Sequence, residues 1–111
     1  MDFAQEQAGD VVIAKLSGRL DSSTAPPTEE NFSRLLASGP LHLAIDLSNL
    51  EYISSAGLRV LLVVARKLQQ AKGKVVLFGL VQNVREVFQI SGFDRIFVIA
   101  PDMAAAVAAV H

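Results

Sequence analysis

The residues best placed to do chemistry stand at one joint, IDLSNLEYISSAGLRV, residues 45–60. Here a strand-like acidic stretch, Asp46 to Tyr52, runs through Ser54 and Ser55 to Gly57 and an apolar helix. A helix N-terminus carries unpaired N–H groups and a partial positive charge, so it accommodates an anion such as a phosphate. In open α/β sheets, function collects where the carboxyl end of a strand hands over to a helix. Asp46 and Ser48 read as lying at such an end, and Gly57 as letting the backbone pass close to whatever approaches. A serine at this joint has two readings. It caps the helix, a role worth about 1 kcal/mol, or it offers its hydroxyl for modification. The residue types alone leave both open.

Other chemistries fit worse. A G-x-S-x-G nucleophile elbow needs a glycine where Ile53 stands. Of the two histidines, His42 falls inside a strand and His111 closes the sequence, so neither is placed as a general base. No G-x-x-x-x-G-K-[ST] loop occurs to cradle a nucleotide phosphate. The absence of cysteine removes disulfides, thiolate nucleophiles and thiolate metal ligands. The histidines and carboxylates show no clustered ligand spacing, so no metal and no cofactor is expected, and the chain does not read as an enzyme.

The joint needs a scaffold, and the pattern supplies one. VVIAKL (11–16) reads as a strand, with FAQEQ (3–7) as an edge hairpin partner. Thr28 to Ala37 reads as a helix with Phe32, Leu35 and Leu36 inward, entered through Pro26 and Pro27 and stopped by Gly39-Pro40. LHLAIDL (41–47) is a nearly continuous apolar run, as in a strand covered on both faces. Ala56 to Lys72 is the clearest helix, KVVLFGL (74–80) another buried strand, and Gln82 to Ser91 a short helix ended by Gly92. Arg95 to Ile99 reads as a last strand, and Asp102 opens an alanine-rich helix. Alternating strands and helices imply parallel pairing with right-handed crossovers.

Composition agrees with one such domain over 1–111. Hydrophobic residues make up 51% and charged residues 19% of 111, enough apolar surface for a core without staples. Ten basic against eleven acidic side chains leave a net charge of −1, without the basic field of a nucleic-acid surface. The longest apolar runs, Val60 to Ala65 and Ala104 to Val110, fall far short of the roughly 20 residues that span a bilayer, and MDFAQEQAGD lacks the features of a signal peptide. A cytoplasmic protein without membrane insertion is expected.

GRLDSSTA (18–25), IDLSNLEYISSAGLRVLL (45–62) and VREVFQISGFDRIF (84–97) resemble the STAS domain of bacterial anti-sigma factor antagonists, in order and spacing, over nearly the whole chain. The resemblance implies a single α/β STAS-type domain: a mixed, mostly parallel sheet of four to five strands with about four α-helices packed against it. It also implies a partner-switching signal-transduction protein in transcription regulation. Such an antagonist binds an anti-sigma factor, usually a serine kinase, and frees a sigma factor. The kinase phosphorylates one serine and a serine phosphatase reverses this; a monomer or weak homodimer is expected. By resemblance Ser55 is the phosphoacceptor. Asp21 is the acid near it, with Thr24 in the same loop; Asp46 and Ser48 end the central strand, and Gly57 and Leu58 begin the helix. Two residues depart from the pattern: Ser54 replaces the commonest aspartate, which leaves two adjacent serines, and Ala56 replaces a serine or threonine. Alternatives are a STAS subunit of a lipid or ABC transporter, a signalling scaffold, or a small nucleotide-binding protein using Asp21, Asp46 and Ser55.

Helical phase suggests the partner surface. At 100° per residue Leu58, Leu61, Leu62, Ala65 and Leu68 share an apolar face, while Arg59, Arg66, Lys67 and Gln70 share the other. Val63 lies among the polar residues and Val60 at their edge. With Ser55, Ala56 and Arg59, the two valines form a candidate docking patch; the alternative is that isolated surface valines are ordinary.

Overall fold

The computed structural model describes residues 1–40 and 42–111. Five strands form one sheet in the order β1-β2-β3-β4-β5. They are β1 (Asp2–Ala8), β2 (Val11–Leu20), β3 (His42–Ile53), β4 (Lys74–Phe78) and β5 (Val98–Ala100). β1 pairs antiparallel with β2 as the edge hairpin, and all other pairings are parallel. The helices are α1 (Ala25–Ala37), α2 (Ser55–Gln70), α3 (Gln82–Ser91) and α4 (Met103–Ala109). The first residue of the expected 41–47 strand, Leu41, lies outside the described residues.

Strand alternation sorts the core into two layers. Val12, Ala14, Leu16, Leu43, Ile45 and Leu77 point to the side where α1, α2 and α3 pack, with Phe32, Leu61 and Phe88 fully buried there. Val11, Ile13, Ala44, Val76 and Phe78 point the other way, under Ala106 and Val110 of the α4 segment. Both faces are thus covered, as nearly continuous apolar strands require. In a sheet of sequential order, crossovers of one hand put α1, α2 and α3 on the same face.

Several boundaries moved for local reasons. α1 begins at Ala25, not Thr28, so Pro26 and Pro27 sit in its first turn, where their missing N–H groups cost no intrahelical bond. α2 begins at Ser55 and ends at Gln70, closed by the Gly73 N–H on the Leu68 carbonyl at 2.7 Å. Phe93–Arg95 is a short 3-10 turn, and the last strand starts only at Val98. Gly92, at φ +79°, ends α3 in the left-handed region that glycine enters without strain. The largest change is in β3. It parts from β4 after Asp46, whose partner is Phe78, and continues against β2 until Arg19 meets Tyr52 and Leu20 meets Ile53.

Candidate functional site

The continuation of β2 and β3 past the rest of the sheet brings two strand-to-helix joints together. The Ser54 N–H donates to the Leu20 carbonyl at 2.9 Å, tying the start of α2 to the end of β2. Gly57 is buried at this crossing. A Cβ there would stand 2.7 Å from Leu20 Cγ and 2.8 Å from Ile53 Cγ1, closer than real Cβ contacts come. The close approach expected at Gly57 is therefore made by the protein's own strands, not by a ligand.

The two serines divide the roles that the sequence left open. Ser54 is the N-cap: its backbone is extended and its hydroxyl accepts from the Gly57 N–H at 3.4 Å. Ser55 is the first helical residue, one position earlier than expected for the helix start, and its side chain is exposed. Its hydroxyl makes no hydrogen bond among the described residues. Capping and exposure fall on different serines.

Beside Ser55 runs a groove of about 280 Å³. Ser22, Ala25, Pro26 and Glu29 form one wall; Ala56, Arg59 and Val60 form the other. Val60 corrects the expected docking patch. It is 3% exposed, and Val64 is buried with it, while Leu62, expected inward, and Val63 are half-buried. α2 packs on α1 as well as on the sheet, so its buried arc turns toward α1 and takes in Val60. The surface left open is Ser55, Arg59 and the partly covered Ala56.

The Asp21–Thr24 loop borders this groove with Asp21, Ser23 and Thr24 engaged and the Ser22 hydroxyl exposed. One oxygen of Asp21 accepts from the Ser23 hydroxyl at 2.7 Å, the Ser23 N–H at 3.0 Å and the Thr24 N–H at 3.2 Å. The Ser23 hydroxyl bond, more than any other contact, holds the Asp21 carboxyl below its ordinary pKa. Thr24 Oγ1 donates to the Arg19 carbonyl at 2.9 Å and accepts from the Asp21 N–H at 2.9 Å. Arg19 also lies over the Tyr52 ring, 4.3 Å from its centroid, a pairing made by strand register and invisible in the sequence.

Asp46 and Ser48 are not part of this arrangement. Asp46 is 6% exposed and accepts from the Ser48 N–H at 2.9 Å and hydroxyl at 2.6 Å. β3 runs seven residues beyond Asp46, roughly 20 Å of strand, before α2 begins. The expectation that Asp46 sits at the strand's carboxyl end fails because the apolar run stops before the strand does. Asp46 and Ser48 stand at the fork where β3 leaves β4, against Gly79, where an added Cβ would lie 3.0 Å from Ser48 Cβ. A cation or phosphate cluster of Asp21, Asp46 and Ser55 is thereby not assembled.

The histidines, in contrast, meet. Asp10 lies 2.7 Å from His111 Nε2 and 3.3 Å from His42 Nδ1. The Asp10 bond raises the His111 pKa above its ordinary value, and the same bond lowers that of Asp10. Positions 10, 42 and 111 offer no local spacing, so only the fold could reveal this trio.

A profile of the STAS domain matches residues 2–106. The chain belongs to the STAS domain family. BtrV of Bordetella bronchiseptica, named as a candidate anti-sigma factor antagonist, is 42% identical over 109 residues, covering 98% of this STAS chain and 94% of BtrV. The anti-sigma-B factor antagonist of Listeria monocytogenes is 30% identical over 95 residues, 86% of this chain and 83% of that one. Among solved structures, an anti-sigma factor antagonist from Mycobacterium paratuberculosis superposes with a TM-score of 0.90 at 29% identity, covering 98% of this STAS domain and 92% of that chain. The expected fold, a mixed, mostly parallel sheet of four to five strands with about four helices, is the fold observed, with five strands and four α-helices among the described residues. Among the described residues no helix is long and apolar enough to cross a membrane.

Proposed function

We propose that this STAS domain is an anti-sigma factor antagonist that binds an anti-sigma factor of the serine-kinase type and is released when Ser55 is phosphorylated. The observation that carries the reading is the division between the two serines: Ser54 is held as the cap, while Ser55, next in sequence to the groove-lining Ala56, is exposed with a hydroxyl that makes no hydrogen bond among the described residues. The names of the relatives, BtrV and the Listeria antagonist among them, support the partner class.

Phosphate adds about 1.5 to 2 negative charges. On Ser55 it meets the positive end of α2, and Arg59 lies one turn along the same face, so the charge is accommodated by the free domain. Its effect is felt in the complex, where a partner covering the groove has to desolvate a dianion. The unmodified antagonist occupies the anti-sigma factor by mass action and thereby frees a sigma factor; the phosphorylated one lets go, and a serine phosphatase restores it. The chain performs no chemistry itself.

Incubation with the cognate kinase and ATP, followed by mass spectrometry, tests the reading. One phosphate on Ser55, absent in Ser55→Ala and retained in Ser54→Ala, is the expected result. Phosphate on Ser54 or Thr24, or none at all, removes it.

A further inference from the structure

Asp10 belongs to the β1–β2 turn, His42 opens β3, and His111 follows α4. The three ligand atoms they offer all lie within 4.8 Å of one another. The His111 ring is oriented by a second contact: Nδ1 stands 3.0 Å from the Val107 carbonyl. A carbonyl only accepts, so Nδ1 carries the proton and the neutral ring turns its Nε2 lone pair to Asp10. Asp10 Oδ1, 2.7 Å away, is also an acceptor. Two lone pairs at that separation need a cation between them, either a proton or a metal ion.

The donor set selects the ion. Two imidazoles and one carboxylate suit zinc and its borderline neighbours, whereas magnesium and calcium prefer all-oxygen shells. A backbone carbonyl on the far nitrogen of a ligating histidine is the usual outer support of such a ligand. Tetrahedral zinc at about 2.0–2.1 Å from each donor sets the donors roughly 3.3 Å apart. Asp10 Oδ2 stands 3.3 Å from His42 Nδ1, already at that value. His111 Nε2 bonds the other oxygen, Oδ1, at 2.7 Å, so the carboxylate or the His111 ring has to turn to set three donors round one ion, and all three side chains are exposed enough to do so.

We propose that Asp10, His42 and His111 form a binding site for zinc or a similar divalent transition-metal ion, clamping the end of α4 to the β1–β2 turn and the start of β3. Ser55 follows the other end of β3, so the clamp lies apart from the groove and independent of its function. Three protein ligands leave a fourth position to water.

The test uses the tag-free full chain, stripped with EDTA and titrated with zinc chloride by calorimetry and by thermal unfolding at neutral pH. One saturable site per chain is expected, with a rise in Tm that EDTA reverses and that magnesium chloride does not produce. His42→Gln and His111→Gln each weaken zinc binding by on the order of tenfold or more, the loss that even an outer-shell change causes. Asp10→Asn gives a second, shape-preserving variant should a histidine change disturb folding, and it too weakens binding. Absence of saturable uptake, an equal response to magnesium, or unchanged zinc affinity in the folded variants overturns the proposal.

Discussion

Two strand-to-helix joints lie side by side, and they use the same residue types differently. In the joint from β2 to α1, Asp21, Ser23 and Thr24 bond one another and the backbone, while Ser22 stands exposed on the groove wall with no side-chain hydrogen bond among the described residues. In the joint from β3 to α2, one serine does the capping and the next is left free. A hydroxyl already engaged loses a bond when modified, whereas a free one loses only water. Each joint holds two serines, one engaged and one free, so neither composition nor the count of bonded hydroxyls tells them apart; what separates them is where the free hydroxyl stands, Ser55 in the first turn of α2 and Ser22 in the loop before α1.

The contrast can be broken most severely where the joints touch. Gly57→Leu forces a Cβ against the Leu20 and Ile53 side chains and to 3.0 Å from the Leu20 carbonyl oxygen, an overpacking expected to cost about 1–3 kcal/mol. Denaturant unfolding measures it, and a loss under about 1 kcal/mol would show that the joints are not locked together. Next comes charge at the free hydroxyl. Ser55→Asp is expected to weaken anti-sigma factor binding by on the order of tenfold or more, about 1.4 kcal/mol, while Tm stays nearly constant because acids suit a helix N-terminus. Calorimetry against the partner and a thermal scan read the two parts separately; unaltered affinity or outright unfolding contradicts the switch.

The engaged serine gives a smaller effect. Ser54→Ala should cost roughly 0.5–1 kcal/mol in chemical denaturation, at the low end for a lost cap given the long 3.4 Å bond, and leave kinase labelling of Ser55 intact. The smallest effect concerns Asp21. Its folded-state pKa is depressed, so its contribution to stability is present above the unfolded value of about 3.9 and fades as pH falls through the lower folded value. Asp21→Asn is therefore expected to melt below the parent at pH 6, with the gap closing as pH drops beneath about 4. A gap that stays constant across this range would mean that the Asp21 charge does not support the turn.

Much of the scaffold was legible because its signals are local. The apolar run through Leu43 to Leu47, the Gly92 stop after α3 and the Asp102 cap of α4, which accepts from the Ala105 N–H at 2.9 Å, each depend on residues within a few positions. The buried side of α2 was legible in part: Leu58, Leu61 and Leu68 are inward as their spacing predicts. Val60 was misplaced because helical phase assumes one buried face, and α1 supplies a second. Asp46 was misplaced because a strand can outrun its apolar stretch when a neighbouring strand continues beside it. The Asp10, His42 and His111 trio was missed for the same kind of reason, since its members are joined by three different elements.

The sequence by itself determined which segments are strands and helices, that both faces of the sheet are covered, and that a serine pair opens the central helix. Periodicity, capping chemistry and motif spacing are properties of neighbours along the chain. Only the tertiary structure decided which serine is spent on the cap, which valine is hidden, and which acids stand near which hydroxyl. Those outcomes depend on where β2 and β3 end relative to each other and on how α1 leans against α2. Such distances are set by packing between segments far apart in the chain.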